Sequence, residues 1–288
     1  MDTARYRAFV ASADTGSFTR AGELLNYSPS GVSQLVTALE NELGFPLLVR
    51  TRRGVTVSTA GEEILPSIRA RLQQEKTMLQ IASQLNGLMT GEVHIASYSS
   101  VASQWLPMII KEYQRDYPNI RISLMEGTRQ EILAWLGDSR ADIAFLPNVP
   151  DSAYDWIPLK DDPIVALLPK DHPLAGADVY PLSVCNQEKF IMPAMGKDED
   201  VLELFERTGL HPDIAFSTSQ FYAIFSMIEC GLGMTITNEL ITEGQHLDLI
   251  KLPVDPPQHL EFGILIPDLS VVSPAAKKFI QYAKKLVR

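Results

Sequence analysis

Gly16-Ser17-Phe18-Thr19-Arg20-Ala21-Gly22-Glu23-Leu24-Leu25-Asn26-Tyr27-Ser28-Pro29-Ser30-Gly31-Val32-Ser33-Gln34-Leu35 holds two helix starts in quick succession. Ser17 is a good N-cap, and Phe18, Ala21, Leu24 and Leu25 behind it fall on one helical face. Asn26-Tyr27 breaks that helix. Ser28-Pro29 begins another, because Ser satisfies orphan N–H groups and Pro tolerates the first turn. Two helices joined by a short turn predict a helix-turn-helix. In that geometry the second helix enters the major groove and its N-terminal side chains meet base edges.

The second helix divides as a groove reader must. Val32, Leu35, Val36, Leu39 and Leu43 recur at helical spacing and belong to the core. Ser28, Pro29, Ser30, Ser33, Gln34 and Thr37 occupy the cap and other faces and are the candidate DNA contacts. Gln pairs with adenine N6 and N7, Ser hydroxyls suit several bases, and Pro or a methyl group touches the thymine methyl. Beyond Gly44, Arg50-Thr51-Arg52-Arg53-Gly54 lies between two β-prone runs. That spacing predicts a wing, with Arg50, Arg52 and Arg53 against phosphates.

These segments resemble the LysR-type transcriptional regulators. The likeness runs through Gly16–Ala21, Ser28–Ser33, Leu39-Glu40-Asn41-Glu42-Leu43-Gly44, Leu47-Leu48-Val49-Arg50 and Thr59-Ala60-Gly61. Later phrases, Glu126-Gly127 and Gly137-Asp138-Ser139-Arg140-Ala141-Asp142-Ile143-Ala144, resemble it more loosely. The resemblance implies a homodimeric or homotetrameric bacterial regulator that binds a double-stranded DNA operator and a small-molecule effector and acts on RNA polymerase. It also implies two α/β subdomains like a type 2 periplasmic binding protein, with the last strand and helix returning to the first subdomain.

Charge is divided unevenly along the 288 residues. Residues 1–90 hold 9 Lys and Arg against 8 Asp and Glu, and residues 91–288 hold 16 against 27. An acidic body repels DNA, so affinity must come from the local arginines; a general nucleic-acid coat is excluded. Hydrophobic residues make up 45% of the chain, and no apolar run reaches the roughly 18 residues of a membrane span. The start, Met1-Asp2-Thr3-Ala4-Arg5, is no signal peptide, and with two cysteines, Cys185 and Cys230, a cytoplasmic location without a disulfide framework is expected. A thiol pair can form a redox switch, but neither cysteine has basic sequence neighbours that would favour a thiolate, so buried inert thiols are the expectation over a switch.

Three units follow: a winged helix-turn-helix over 1–58, a linker helix over 59–90 and a regulatory domain over 91–288. Thr59 with Glu62 suggests a capping box opening a helix to about Met89. Leu65, Leu72 and Leu79 repeat every seven residues with Ile68 in the neighbouring row, a seam suited to a partner helix. Pro66 and Glu75 make it imperfect. From Gly91 strands alternate with helices, which predicts parallel sheets covered by helices. The subdomains are expected at about 91–162 with 265–288, and at about 163–264.

The chain shows no nucleophile elbow, phosphate loop or paired-histidine zinc motif, and no enzyme activity, cofactor or metal is expected. Ser97, Ser99 and Ser100 follow the first regulatory strand, Thr128 follows the second, Asn148 the third, and Thr218 opens a helix of the other subdomain. Such strand-to-helix junctions form anion sites. These six residues are the candidate effector contacts, for a small carboxylate or a largely neutral compound. Two other readings stay open: a small-molecule-binding protein or enzyme on a dimerisation arm, and an architectural DNA-binding protein without effector control.

Overall fold

The computed structural model describes residues 2–52, 54–86, 88–150 and 152–287. Helices α1 (Thr3–Thr15), α2 (Phe18–Leu25) and α3 (Pro29–Leu43) precede a hairpin of β1 (Leu48–Thr51) and β2 (Gly54–Val57). Ser17 accepts from Arg20 N–H and Ser28 from Gly31 N–H, so both caps form as their sequence context demands. Asn26 ends α2 in the left-handed region, leaving a three-residue turn before α3. Phe9, Val32, Val36, Leu39 and Leu47 form the centre of one small core. Glu40 Oε1 accepts from Leu47 N–H (2.7 Å) and Leu48 N–H (3.1 Å), tying the wing to α3.

Helix α4 (Thr59–Leu85) leaves the wing. Its cap is Ser58, whose side chain accepts from Gly61 N–H, and Thr59 is already helical; the expected cap was one residue late. A Cβ on Gly61 would lie 2.3 Å from the Leu47 carbonyl oxygen, so only glycine lets α4 start this close to the wing. The helix stops at Leu85, short of Met89. Ile68 is buried in the winged-helix core, and Leu65 and Leu72 are partly buried against it. Glu75, which interrupts the heptad row, meets Arg7 at 3.1 Å.

The regulatory region begins with β3 (Gly91–Ser97), α5 (Ser99–Gln104), α6 (Leu106–Asp116), β4 (Ile120–Glu126), α7 (Arg129–Gly137) and β5 (Ile143–Pro147). Residues 99–116 form two helices rather than one, because Pro107 at the start of α6 removes an N–H and crowds the preceding turn. Strand β6 (Asp155–Leu168) then crosses from one lobe to the other. The second lobe adds β7 (Tyr180–Pro181), β8 (Lys189–Met192), α8 (Glu199–Thr208), β9 (Asp213–Ser217), α9 (Phe221–Glu229), β10 (Thr235–Asn238) and β11 (Ile250–Asp255). Strand β12 (His259–Ile266) and α10 (Pro274–Leu286) return to the first.

In the first lobe the sheet order is β4-β3-β5-β12-β6; β3 is parallel to both neighbours, and β12 is antiparallel to β5 and β6. The far half of β6 pairs antiparallel with β10 and β11. The sheets are thus mixed rather than parallel throughout. Because β12 pairs with β6 from His259 onward, the return crossing falls near residue 259, not 265. Each sheet is covered on both faces: α6 and α10 against α7 in the first lobe, α8 against α9 in the second.

Candidate functional sites: a groove-reading helix and an interlobe cleft

On α3 the buried and exposed residues separate as a groove reader requires. Val32, Val36 and Leu39 face the core, while Ser28, Pro29, Ser30, Gln34 and Thr37 are exposed and Ser33 is half-buried. Three of the hydroxyls are engaged within the protein. Ser28 Oγ caps Gly31 and lies 3.0 Å from Ser30 Oγ, and Arg50 Nη2 donates to Ser33 Oγ at 2.7 Å. The Arg50 guanidinium also sits 5.3 Å from the centre of the Phe18 ring, so the wing arginine is held beside the exposed polar face of α3. Arg52 is exposed at the wing tip; Arg53 lies outside the described residues.

The linker couples this head to the lobes. Arg69, nearly buried, meets Asp14 at 2.5 Å. One turn further, Gln73 donates to Asp142, whose other oxygen accepts from His94 N–H at 2.7 Å. Gln80 donates to the Glu92 carbonyl at 3.0 Å and accepts from Ala275 N–H at 3.4 Å. Met78, Leu79, Ile81 and Leu85 stay exposed, an apolar face on the far half of α4. Of the four seam leucines and isoleucine read from sequence, only Leu79 belongs to this face; the other three serve the winged helix first.

A cavity of about 400 Å³ lies between the lobes. Ser99, Ser100 and Thr128 line it; Ser97, Asn148 and Thr218 do not. Ser97 is buried and donates to the Tyr98 carbonyl at 2.9 Å. Asn148 donates to Glu261 at 3.1 Å, and Thr218 accepts from Gln220 N–H at 3.3 Å. Thr128 forms a capping box with Glu131 at the start of α7. Ser100 Oγ is buried and has no hydrogen-bond partner among the described residues.

Sequence reasoning missed the ionic centre of the cleft. Arg129, opening α7 on the first lobe, pairs with Asp200 and Glu203 of α8 on the second, and its Nε lies 3.7 Å from Glu199 Oε2. The Tyr98 hydroxyl joins Asp200 and Arg129, and burial holds its phenol well above the ordinary range. Burial, then the neighbouring Asp200, pushes Asp198 up to about 6. Burial also raises Asp200 and Glu199, with Arg129 opposing the shift. The available sequence signal was the acidic run Asp198-Glu199-Asp200, which reads equally well as an ordinary helix start. Elsewhere, Cys185 is buried beside Tyr180 with its thiol pushed up to about 11 by burial, whereas Cys230 is exposed, contrary to the buried thiol expected.

A winged helix-turn-helix, a long helix and a two-lobed α/β domain with a ligand-sized cleft define a DNA-binding transcription regulator with an effector-binding domain. The chain belongs to the LysR family: residues 3–62 match the bacterial regulatory helix-turn-helix protein, lysR family, and residues 86–288 match the LysR substrate binding domain. It is 33% identical over 291 residues to the HTH-type transcriptional regulator YvbU of Bacillus subtilis (strain 168), covering 99% of each chain. A full-length OxyR variant from Pseudomonas aeruginosa shares the fold with a TM-score of 0.80 at 21% identity, over 100% of this chain and 95% of that one. Full-length CbnR in complex with its target DNA shares it with a TM-score of 0.68 at 17% identity, over 99% of each chain.

Proposed function

We propose that α3 reads an operator through Pro29, Ser30, Gln34 and Thr37, with Ser28 and Ser33 setting the helix start and the position of Arg50. Arg50, Arg52 and Arg53 hold phosphates beside it. The observation that carries this is the polar exposed face of α3 with Arg50 fastened to its centre at Ser33. Two copies joined along Met78, Leu79, Ile81 and Leu85 present two such helices to two half-sites, and Leu65, Ile68 and Leu72 keep each head on its linker. The protein acts in the cytoplasm, on RNA polymerase at promoters, by binding rather than by catalysis.

A small effector enters the cleft at Ser99, Ser100 and Thr128. An effector that prefers one lobe arrangement shifts the population toward it by no more than its differential affinity. Gln73 and Gln80 pass that change to α4, because they are anchored to the first lobe on the same helix that carries the DNA-reading head. A redox role for Cys185 is disfavoured, since burial pushes its thiol up to about 11. Selection of binding sites from random duplex DNA by the full-length protein, repeated with a metabolite panel, tests the reading. It expects a two-half-site motif whose occupancy responds to a metabolite, and the absence of any enriched motif overturns it.

A further inference from the structure

Five carboxylates, Glu126, Glu131, Asp198, Glu199 and Asp200, line the interlobe cavity against two cations, Arg129 and Lys197. The buried cation is already committed. Arg129 is matched by Asp200 and Glu203, so its charge is already balanced, while its Nε and Glu199 Oε2, 3.7 Å apart, are buried without a hydrogen-bond partner among the described residues. A ligand carboxylate would therefore add negative charge to a site that already carries an excess. Burial raises Asp198, Asp200 and Glu199 first, and the like charges beside them add to the shift.

A second and independent feature points to a ligand. Ser100 lines this cavity at 3% exposure, and its buried Oγ has no hydrogen-bond partner among the described residues. Buried hydroxyls without partners are uncommon because desolvation is uncompensated, and a bound polar group removes that cost. Phe221, Phe225 and Leu260 supply an apolar wall, and aromatic faces attract cations as well as apolar groups.

We propose that the effector is a compact organic cation, an amine with a small apolar body, rather than a carboxylate. Its ammonium is held by the carboxylates of Asp198 and Glu126, its body lies against Phe221 and Phe225, and Ser100 Oγ takes a polar hydrogen. This rests on the cleft being the effector site. It revises the expectation of a carboxylate or neutral ligand, which took the hydroxyls at the helix starts as the whole recognition set.

The test is a matched series differing only in charge: benzylamine, benzyl alcohol and benzoate, titrated into the full-length protein by calorimetry at neutral pH. Benzylamine is expected to bind at least about tenfold more tightly than benzoate. Asp198→Asn, which keeps an oxygen to cap α8, should weaken benzylamine by about tenfold while leaving benzyl alcohol unchanged. Glu126→Gln, at an exposed position, repeats the test without touching a cap. Benzoate binding as tightly as benzylamine, or both neutralising variants binding benzylamine normally, overturns the inference. If benzoate wins and Ser99→Trp blocks it, the effector cleft stands and only the charge assignment fails. If benzylamine binds Ser99→Trp undiminished, or none of the three probes binds, the cleft itself is lost as the effector site.

Discussion

Removing the positive charge of Arg129 isolates the interaction that joins the lobes. In Arg129→Gln the carboxylates of Asp200, Glu199 and Glu203 lose their shared partner. The Arg129 side chain is 11% exposed and that of Asp200 8%, so this pair is largely withdrawn from water, whereas Glu203 at 62% is not. An exposed partner of that kind contributes about 0–1 kcal/mol. Breaking a buried pair by deleting one member costs about 3–5 kcal/mol, because the remaining charge stays desolvated. For a domain of this size each kcal/mol moves Tm by roughly 2–4 °C, so the regulatory-domain transition should fall by about 6–20 °C. Calorimetric unfolding of the full chain measures it. Combining Arg129→Gln with Asp200→Asn should recover more than half the loss, since the stranded charge is then gone. A single variant within about 2 °C of the parent would refute the reasoning, as would a double variant no better than the single.

Gln34→Ala should relax base preference at one position of each half-site by about 1–3 kcal/mol in selection experiments, whereas Arg52→Ala should weaken all sequences alike and flatten the salt dependence. Leu85→Glu, at a side chain 84% exposed, should leave the heads folded while shifting the sedimentation coefficient toward a monomer. Ile68→Ala should instead destabilise the winged helix by about 2–5 kcal/mol, seen as loss of its helical signal on heating. For Asp198, a folded-state pKa near 6 against 3.8 ordinarily means the folded chain binds the proton more tightly. Its contribution to stability is therefore greatest below that window and is lost as pH rises through it. Asp198→Asn should be more stable than the parent above about pH 6 and should flatten the slope of stability with pH between about 4 and 6.

The DNA-reading head was legible because its signals are local. Ser17 and Ser28 cap amides three residues away, Asn26 turns the chain in place, and the apolar spacing of α3 alone separates its core face from its polar one. The alternation after Gly91 was legible for the same reason, and so were Ser99, Ser100 and Thr128, which lie where strands hand over to helices. The first half of β6 and strand β11 were hidden: Asp161-Asp162-Pro163 and Leu252-Pro253 carry polar or proline residues that weaken a strand signal, yet pairing across the sheet holds them extended. The heptad spacing of α4 records that one face is buried, not what buries it, and Ile68 lies in the core of its own head. The charge of the cleft was beyond any local reading. Arg129 and Asp200 stand 71 residues apart, and only the crossing of β6 between the lobes brings the start of α7 to the start of α8. Local hydrogen bonding and periodicity thus determined the elements and the exposed polar face of α3, while long-range burial decided which charges meet, which residues line the cleft and which side of the linker remains open.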